Sequence, residues 1–148
     1  MSYNETVEDD IRGALVRDPR VSSPDEVAIS FADGTVVLRG TVGSFGQRRA
    51  AVSDARDVAG VEDLDDQLQV RILDDERRAD ADIRGIALQI LHWDTEVPDE
   101  LVDVKVTDGW LTLTGEVGYQ YQSDAAYYDV ATLQGLTEIT NEIKVITL

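Results

Sequence analysis

The apolar residues of the chain recur with two periods, one typical of a helix and one typical of a strand. Val7, Ile11 and Leu15 have the four-residue spacing of a single helical face, and acidic residues at 5, 8, 9 and 10 lie near its N-terminal end, where a helix favours negative charge. Pro19 ends that helical pattern. Over residues 27–31 the apolar positions alternate with small or polar ones, which predicts a half-buried strand.

Turn residues divide the rest of this first pattern into further elements. Asp33-Gly34 separates the first strand from a second alternating run, and predicts a tight β-hairpin because Gly tolerates the positive φ of such turns. Residues 40–46 are predicted as a loop, in which Ser44 opens a capping box that starts a second helix. Gly60 stands where a left-handed C-cap closes that helix, and a last strand follows it.

The same order of elements occurs a second time, and its first helix has the predicted apolar stripe Ile83, Ile86, Ala87, Ile90 and Leu91. Residues 10–13, Asp-Ile-Arg-Gly, return 72 residues further on at 82–85, and Asp33-Gly34 returns 75 residues further on as Asp108-Gly109. The second copy therefore carries three extra residues between its first helix and its first strand. A repeat of this length indicates two copies of one small domain. Between the copies, the charged residues 74–80 are either a short linker or the opening turn of the second copy.

These observations predict an α+β protein made of two tandem αββαβ units, the first at 4–73 and the second at 74–148. Each unit is expected to hold a three-stranded mixed sheet with two helices packed on one face. Glycines that match between the copies are assigned to turns and helix caps, not to a ligand site. They are Gly34, Gly40, Gly60, Gly109, Gly115 and Gly135.

The hairpins of the two copies carry the residues of a known family. The first hairpin reads Val-x-Ile-x-Phe from Val27, then Asp-Gly, then Val-Val-Leu-x-Gly-x-Val up to Val42, and residues 102–117 repeat this order. A helix and a Gly-(Val/Leu)-x-x-(Leu/Ile) segment follow in both copies. This pattern resembles the BON domain, and the resemblance covers the chain from about Glu8 to Leu148. The stretch from Leu91 to Pro98 further resembles bacterial proteins made only of tandem BON repeats.

The resemblance implies a binding protein and not an enzyme. BON domains are associated with phospholipid or membrane-surface binding and occur in osmotically inducible periplasmic proteins, and no catalytic residue set belongs to the family. The expected function is a module that docks membrane phospholipid or cell-envelope surfaces in osmotic or envelope stress. An alternative stays open: a soluble acidic adaptor or scaffold that binds a partner protein, or self-associates as a homo-oligomer, through an exposed sheet face.

The charge of the chain narrows the set of partners. Thirty acidic residues against 13 basic ones give a net charge of −17 at pH 7. Nucleic acid is excluded as a partner because its binding depends on Lys and Arg that neutralise phosphates, and anionic membranes are disfavoured for the same reason. A divalent cation would suit such a surface, yet the acidic residues 62–66 lack the order of a calcium loop. They are interpreted as a solvated acidic loop, and no metal or other cofactor is predicted.

Candidates for catalysis and for membrane insertion are few. The chain has no cysteine, and its single histidine, His92, is placed at the end of the third helix with a structural or solvent-facing role. No stretch approaches the ~18 apolar residues of a membrane span. Residues 1–10 have neither the basic nor the apolar region of a signal peptide. As written, the chain is predicted to be cytoplasmic, or periplasmic or envelope-located if a signal sequence has been removed.

Aromatic residues distinguish the second unit from the first. Trp110 takes the position of Thr35 and is expected to point away from the helices, since Leu111 and Leu113 are the core positions of that strand. Exposed amphipathic aromatics suit a membrane or protein interface, while the alternative is that they pack the two units together or complete a local core. The predicted contact residues are Trp93, Trp110 and, in the loop before the fourth helix, Tyr119 and Tyr121.

Overall fold

The computed structural model describes residues 2–73 and 76–146 in two compact units, Met1–Arg71 and Ile72–Leu148. The first unit contains α1 (Tyr3–Arg17), β1 (Val27–Ala32), β2 (Thr35–Val42), α2 (Phe45–Arg56) and β3 (Asp63–Val70). The second contains α3 (Asp80–Trp93), β4 (Val102–Thr107), β5 (Trp110–Val117), α4 (Gln120–Ala131), β6 (Glu138–Asn141) and β7 (Lys144–Val145). The α+β class and the repeated αββαβ order are confirmed.

Both sheets are mixed and share one topology. The first has the order β1-β2-β3, with an antiparallel hairpin and a parallel third strand, and the second has the order β4-β5-β6 with the same directions. The short β7 continues β6, because Leu113↔Asn141 and Glu116↔Lys144 pair in one unbroken register. Between them, the backbone N of Ile143 donates to Asn141 Oδ1 at 3.0 Å, so the third strand of this unit is interrupted by a side chain.

The helices of each unit cover one face of its sheet, and the alternate strand residues turned toward them form the core. In the first unit the fully buried residues include Ile11, Leu15, Val27, Val36, Leu38, Ala51 and Ala55. In the second unit they include Ala87, Leu111, Leu113, Ala126 and Val130. Ile86 was expected in the buried stripe of the third helix, and this is wrong. The buried positions of α3 lie four residues apart, which leaves Ile86 at the exposed side of the helix.

The three extra residues expected between the first helix and the first strand of the second unit do not lie there. Asp18 and Asp94 are the C-caps of α1 and α3, and each is followed by the same turn, in which its carbonyl accepts from the backbone N three residues on. Measured from the repeated Asp-Ile-Arg-Gly segment, Asp94 stands four residues later than Asp18, and the loop that follows is one residue shorter. The repeated segment therefore lies one turn further from the C-terminal end of α3 than of α1, although α3, with 14 residues, is not longer than α1, with 15. Trp93 is the last residue of α3.

Some expectations at the ends of elements are wrong. The loop over 40–46 is shorter than expected, because β2 continues to Val42 and α2 begins at Phe45. Acidic residues 62–66 do not form a loop, since β3 begins at Asp63 and turns successive side chains to opposite faces. Expectations for residues 74, 75 and 148 lie outside the described residues.

Candidate functional site

The glycines assigned to turns and caps stand at matching positions of the two units. All six have positive φ angles, between 79° and 137°. Gly34 and Gly109 close the hairpin turns, and Gly40 and Gly115 lie inside the second strands of the hairpins. Gly60 and Gly135 are not the expected helix C-caps, since Asp57 and Thr132 take those positions three residues earlier. These positive φ angles explain the repeated glycines through backbone geometry.

Trp110 lies on the face of the second sheet that is turned away from the helices. It is the first residue of β5, and its neighbours Leu111 and Leu113 are fully buried on the opposite face. The indole is 52% exposed, and its Nε1 donates to Thr140 Oγ1 of β6 at 2.7 Å. This hydrogen bond fixes the orientation of the ring over β5 and β6. Trp110 is therefore an exposed aromatic residue with a fixed orientation and not a core residue.

The two lysines of the chain lie on that same face. Lys105 pairs with Thr112, and Lys144 pairs with Glu116, so both share the orientation of Trp110 under strand alternation. Both lysines are exposed. We call this surface the outer sheet face, and its members are Trp110, Lys105, Lys144, Thr112, Thr114 and Thr140. Asp103, Glu116 and Glu138 also belong to this face, so it carries charges of both signs.

Tyr119 and Tyr121 lie together at the start of α4. Tyr119 is the residue just before the helix, and Tyr121 lies inside its first turn and not in the expected loop. Gln122 reaches back and accepts hydrogen bonds from the backbone N of Gly118 and of Tyr119, which fixes this turn as helix. The two tyrosine rings stack with their centroids 5.6 Å apart, and both are more than half exposed.

A third exposed tyrosine extends this surface along α4. Tyr128 follows Tyr121 by two helical turns and is 60% exposed, with the exposed Asp124 between them on the same side. The sequence-based prediction omitted Tyr128 from the contact residues, although its spacing from Tyr121 is that of one helix face. We call Tyr119, Tyr121 and Tyr128 the tyrosine stripe.

The four predicted contact residues do not form one site. Asp80 at the start of α3 accepts from the backbone of the β4–β5 turn, so α3 begins at the hairpin end of the sheet. Its 14 residues span ~21 Å, which carries the exposed Trp93 to the opposite end. Trp110 stays at the hairpin end, whereas Tyr119 follows the far end of β5, ~23 Å along the strand. The second unit therefore has two separate aromatic surfaces.

The remaining candidates for chemistry are satisfied locally. His92 Nδ1 lies 2.8 Å from Asp99 Oδ2, and both side chains are exposed. In the acidic segment at the start of β3, Asp66 accepts from Arg48 Nε at 2.9 Å. Within 2–73 and 76–146, no group of three or more carboxylate or histidine side chains could hold a metal ion, and no helix is long and apolar enough to cross a membrane.

Side chains of the first helix close the free edge of each hairpin. Arg12 donates to the carbonyl oxygen of Val27 at 2.6 Å and also to that of Pro24, while Glu8 accepts from the backbone N of Phe31. In the second unit the matching Arg84 donates to the carbonyl oxygen of Val104 at 2.8 Å. This explains the arginine of the repeated Asp-Ile-Arg-Gly segment. Because these edge groups are occupied, addition of a partner strand at β1 or β4 is disfavoured.

The two units are small mixed sheets, each covered on one face by two helices, and together they define a tandem α+β module. The described residues contain no assembled catalytic centre. Residues 4–72 and 79–147 each match the BON domain. The chain belongs to the BON-domain family.

Comparison with known proteins gives one curated relative and distant structural likenesses. The chain is 30% identical over 143 residues to osmotically-inducible protein Y of Escherichia coli (strain K12), a match that covers 90% of this chain and 68% of the relative. Solved structures of CdsD, a structural protein of the type III secretion system of Chlamydia trachomatis, give a TM-score of 0.41 at 14% identity, and 0.40 at 15% for its C-terminal domain. These likenesses cover 97% of this chain but 64% and 67% of the solved chains.

Proposed function

We propose that this protein is a non-enzymatic binding module of the osmotic or envelope stress response, and that its second unit docks on phospholipid through the outer sheet face. The membership of the BON family and the similarity to osmotically-inducible protein Y support the stress-related binding role. The observation that carries the phospholipid proposal is that Trp110 and both lysines of the chain share one exposed face.

The chemistry of this face matches a zwitterionic headgroup. The indole of Trp110 has the apolar body and polar edge that suit the interface between acyl chains and headgroups, and its Nε1 is already bonded to Thr140. Lys105 and Lys144 supply cations for lipid phosphate. Carboxylates on the same face suit the positively charged part of the headgroup, whereas the net charge of −17 opposes a purely anionic surface.

Binding to zwitterionic vesicles tests this function. In a flotation assay the protein should float with phosphatidylethanolamine–phosphatidylcholine vesicles, and Trp110→Thr should lower the apparent affinity by about tenfold, or about 1.4 kcal/mol. Lys105→Ser and Lys144→Gln should each weaken binding as well. Each change installs the residue that the first unit carries at the matching strand position, so the fold should tolerate it.

The control for this assay is a variant of the other aromatic surface. Tyr121→Ala lies on the tyrosine stripe and should leave vesicle binding unchanged. Purely anionic vesicles should bind less well at low salt, and screening by salt should reduce that difference. Absence of binding to every vesicle, with and without divalent cations, would show that phospholipid is not the ligand.

The tyrosine stripe supports a second candidate function, self-association. Exposed tyrosines with apolar bodies, two of them stacked on each other, are typical of protein interfaces. This candidate concerns a different surface from the outer sheet face, so both functions can be tested in one protein.

Self-association is tested by sedimentation velocity over a range of protein concentrations. The wild-type protein should show a concentration-dependent shift to dimer, and the double variant Tyr121→Ala, Tyr128→Ala should stay monomeric while its binding to vesicles persists. Trp110→Thr is the matched control and should still dimerise. A wild-type protein that remains monomeric at all concentrations refutes this second function.

A further inference from the structure

Each unit joins the end of its first helix to its second helix through two aspartates. In the first unit Asp18, the C-cap of α1, contacts the carboxyl group of Asp54 in α2. In the second unit Asp94, the C-cap of α3, contacts the carboxyl group of Asp129 in α4. The pair has been duplicated with the fold. We call each pair a carboxyl clasp, because it fastens the end of one helix to the side of the next.

Two negative charges in such a clasp would repel each other at short range. One oxygen of Asp54 and one of Asp129 are buried and lack a hydrogen-bond partner among the described residues. Burial, together with the contact with Asp18 and the nearby Asp57, raises the pKa of Asp54 to about 6. Burial and the contact with Asp94 raise the pKa of Asp129 to about 7.

The two clasps differ in charge at the position two residues after the C-cap. In the first unit this is Arg20, whose backbone N donates to Asp18 Oδ1 at 2.9 Å and whose Nη2 lies 2.8 Å from Asp18 Oδ2 and 3.6 Å from Asp54 Oδ1. In the second unit it is Glu96, whose backbone N donates to Asp94 Oδ1, again at 2.9 Å. The turn is the same, and the side chain has the opposite charge.

The charged groups that act on the second clasp are therefore all acidic. Asp94 and Glu96 both raise the pKa of Asp129, whereas Arg20 lowers the pKa of Asp54 in the first clasp. The buried residues that β5 and β6 turn toward the helices are uncharged: Leu111, Leu113, Val117 and Ile139.

We propose that the second clasp is a proton-operated switch. Asp94 and Asp129 share a proton and hold the end of α3 against α4 in mildly acidic solution, and loss of that proton near neutral pH loosens the end of α3, which carries Trp93. The first clasp changes less over the same range, because Arg20 partly compensates its negative charge. This inference concerns the α3–α4 junction and is independent of the proposed docking on phospholipid.

Proton linkage gives the direction of the effect. The pKa of Asp129 is about 7 in the folded unit against 3.8 for an ordinary aspartate, so the folded unit keeps a proton that the unfolded chain releases. The resulting stabilisation is complete below about pH 4 and is lost as the pH rises through about 7. Contact with Asp129 lowers the pKa of Asp94. The stabilisation that comes from this shift is lost only as the pH falls below 3.8, the ordinary pKa of an aspartate. Asp54, with a pKa of about 6, is already half deprotonated at pH 6, so from about pH 6 to 8 the second clasp releases more of its proton than the first.

Hydrogen exchange of the full chain tests the switch. Protection factors, which correct for the intrinsic pH dependence of exchange, should fall by about tenfold at residues 90–97 between about pH 6 and about pH 8. At the matching residues 14–21 of the first unit they should change by less than about threefold. Asp129→Asn removes the ionisable group and should abolish the change at 90–97.

Exchanging the charged residues of the two clasps gives a matched pair of variants. Glu96→Arg gives the second clasp the cation of the first and should remove most of its pH dependence above about pH 6. Arg20→Glu should give residues 14–21 the pH dependence that the wild-type second unit has. Both positions are exposed, so neither new side chain meets a steric clash, although Arg20→Glu also loses the hydrogen bonds of Arg20 to Asp18 and should lower the stability of the first unit.

Either of two results would overturn the switch. One is a wild-type protein whose protection at residues 90–97 is the same at both pH values. The other is a Glu96→Arg variant that keeps the full wild-type pH dependence, since this would show that the clasp charge does not control the junction. Vesicle binding does not enter either outcome, so failure of the switch and failure of phospholipid docking are distinguishable.

Discussion

Replacing Gly115 with alanine should destabilise the second unit by about 3 kcal/mol or more, a large part of the stability of a domain of this size. Gly115 has a φ of 137°, a conformation that residues with a side chain rarely adopt. A Cβ at this position would also collide with the carbonyl oxygen of Leu101, which belongs to the one-turn helix that leads into β4. Neither partner can move, because both are backbone. Urea denaturation followed by circular dichroism measures the loss.

The first unit and two other glycines provide controls for this prediction. Gly40 has the same conformation and meets the carbonyl oxygen of Glu26, so Gly40→Ala should destabilise the first unit to a similar extent. Gly85 lies inside α3 with open space around it, and Gly85→Ala should stabilise the second unit by about 0.5–1 kcal/mol. If Gly115→Ala and Gly85→Ala had equal effects, the close approach at Gly115 would not be a structural constraint.

Replacing Arg12 with alanine should destabilise the first unit by about 1.5–3 kcal/mol. The guanidinium donates to two backbone carbonyls, those of Pro24 and Val27, and its removal leaves these acceptors unpaired at the edge of the sheet. The exposed edge of β1 then becomes a site for pairing with another chain, so the variant should also aggregate more readily. Thermal denaturation and light scattering at several protein concentrations measure the two effects.

Matched substitutions separate the hydrogen bonds of Arg12 from its charge. Arg12→Lys keeps the charge but cannot reach both carbonyls with a planar fork, so it should recover only part of the stability. Arg17→Ala removes the same charge from an exposed position of α1 and should change stability by less than about 0.5 kcal/mol. Equal losses for Arg12→Ala and Arg17→Ala would show that the edge contacts contribute nothing.

The geometry of the repeated segment shows why an arginine at this point has a structural role. The sequence shows Asp-Ile-Arg-Gly twice but does not indicate the function of its arginine. The edge strand that receives Arg12 lies 12 to 15 residues further along the chain. A contact over this separation depends on how α1 packs on β1, which local residue preferences do not specify.

The candidate surfaces also combine features that the sequence predicts with features that only the tertiary structure shows. Strand alternation placed Trp110 away from the helices from the sequence alone, since Leu111 and Leu113 indicate the buried face. That Lys144 shares this face follows only from the parallel pairing of β5 and β7, because register is set by tertiary contacts. The sequence-based prediction placed Tyr121 in a loop, because Tyr119, the residue just before the helix, is not of a type that usually stands at an N-cap. The hydrogen bonds from the backbone N of Gly118 and Tyr119 to the Gln122 side chain, which fix this turn as helix, are visible only in the structure.

The sequence by itself determined the number of units, their αββαβ order, the turns and the family. These properties are encoded by hydrophobic periods and glycine positions within a few residues of each other, and the repeat states them twice. Only the tertiary structure decided which exposed residues share a face. It also decided that Asp94 and Asp129 meet, and that the first clasp has a cation, Arg20, where the second has an acid, Glu96. Such contacts join residues far apart in the chain, and their energies depend on packing, burial and distance, which composition and spacing do not contain.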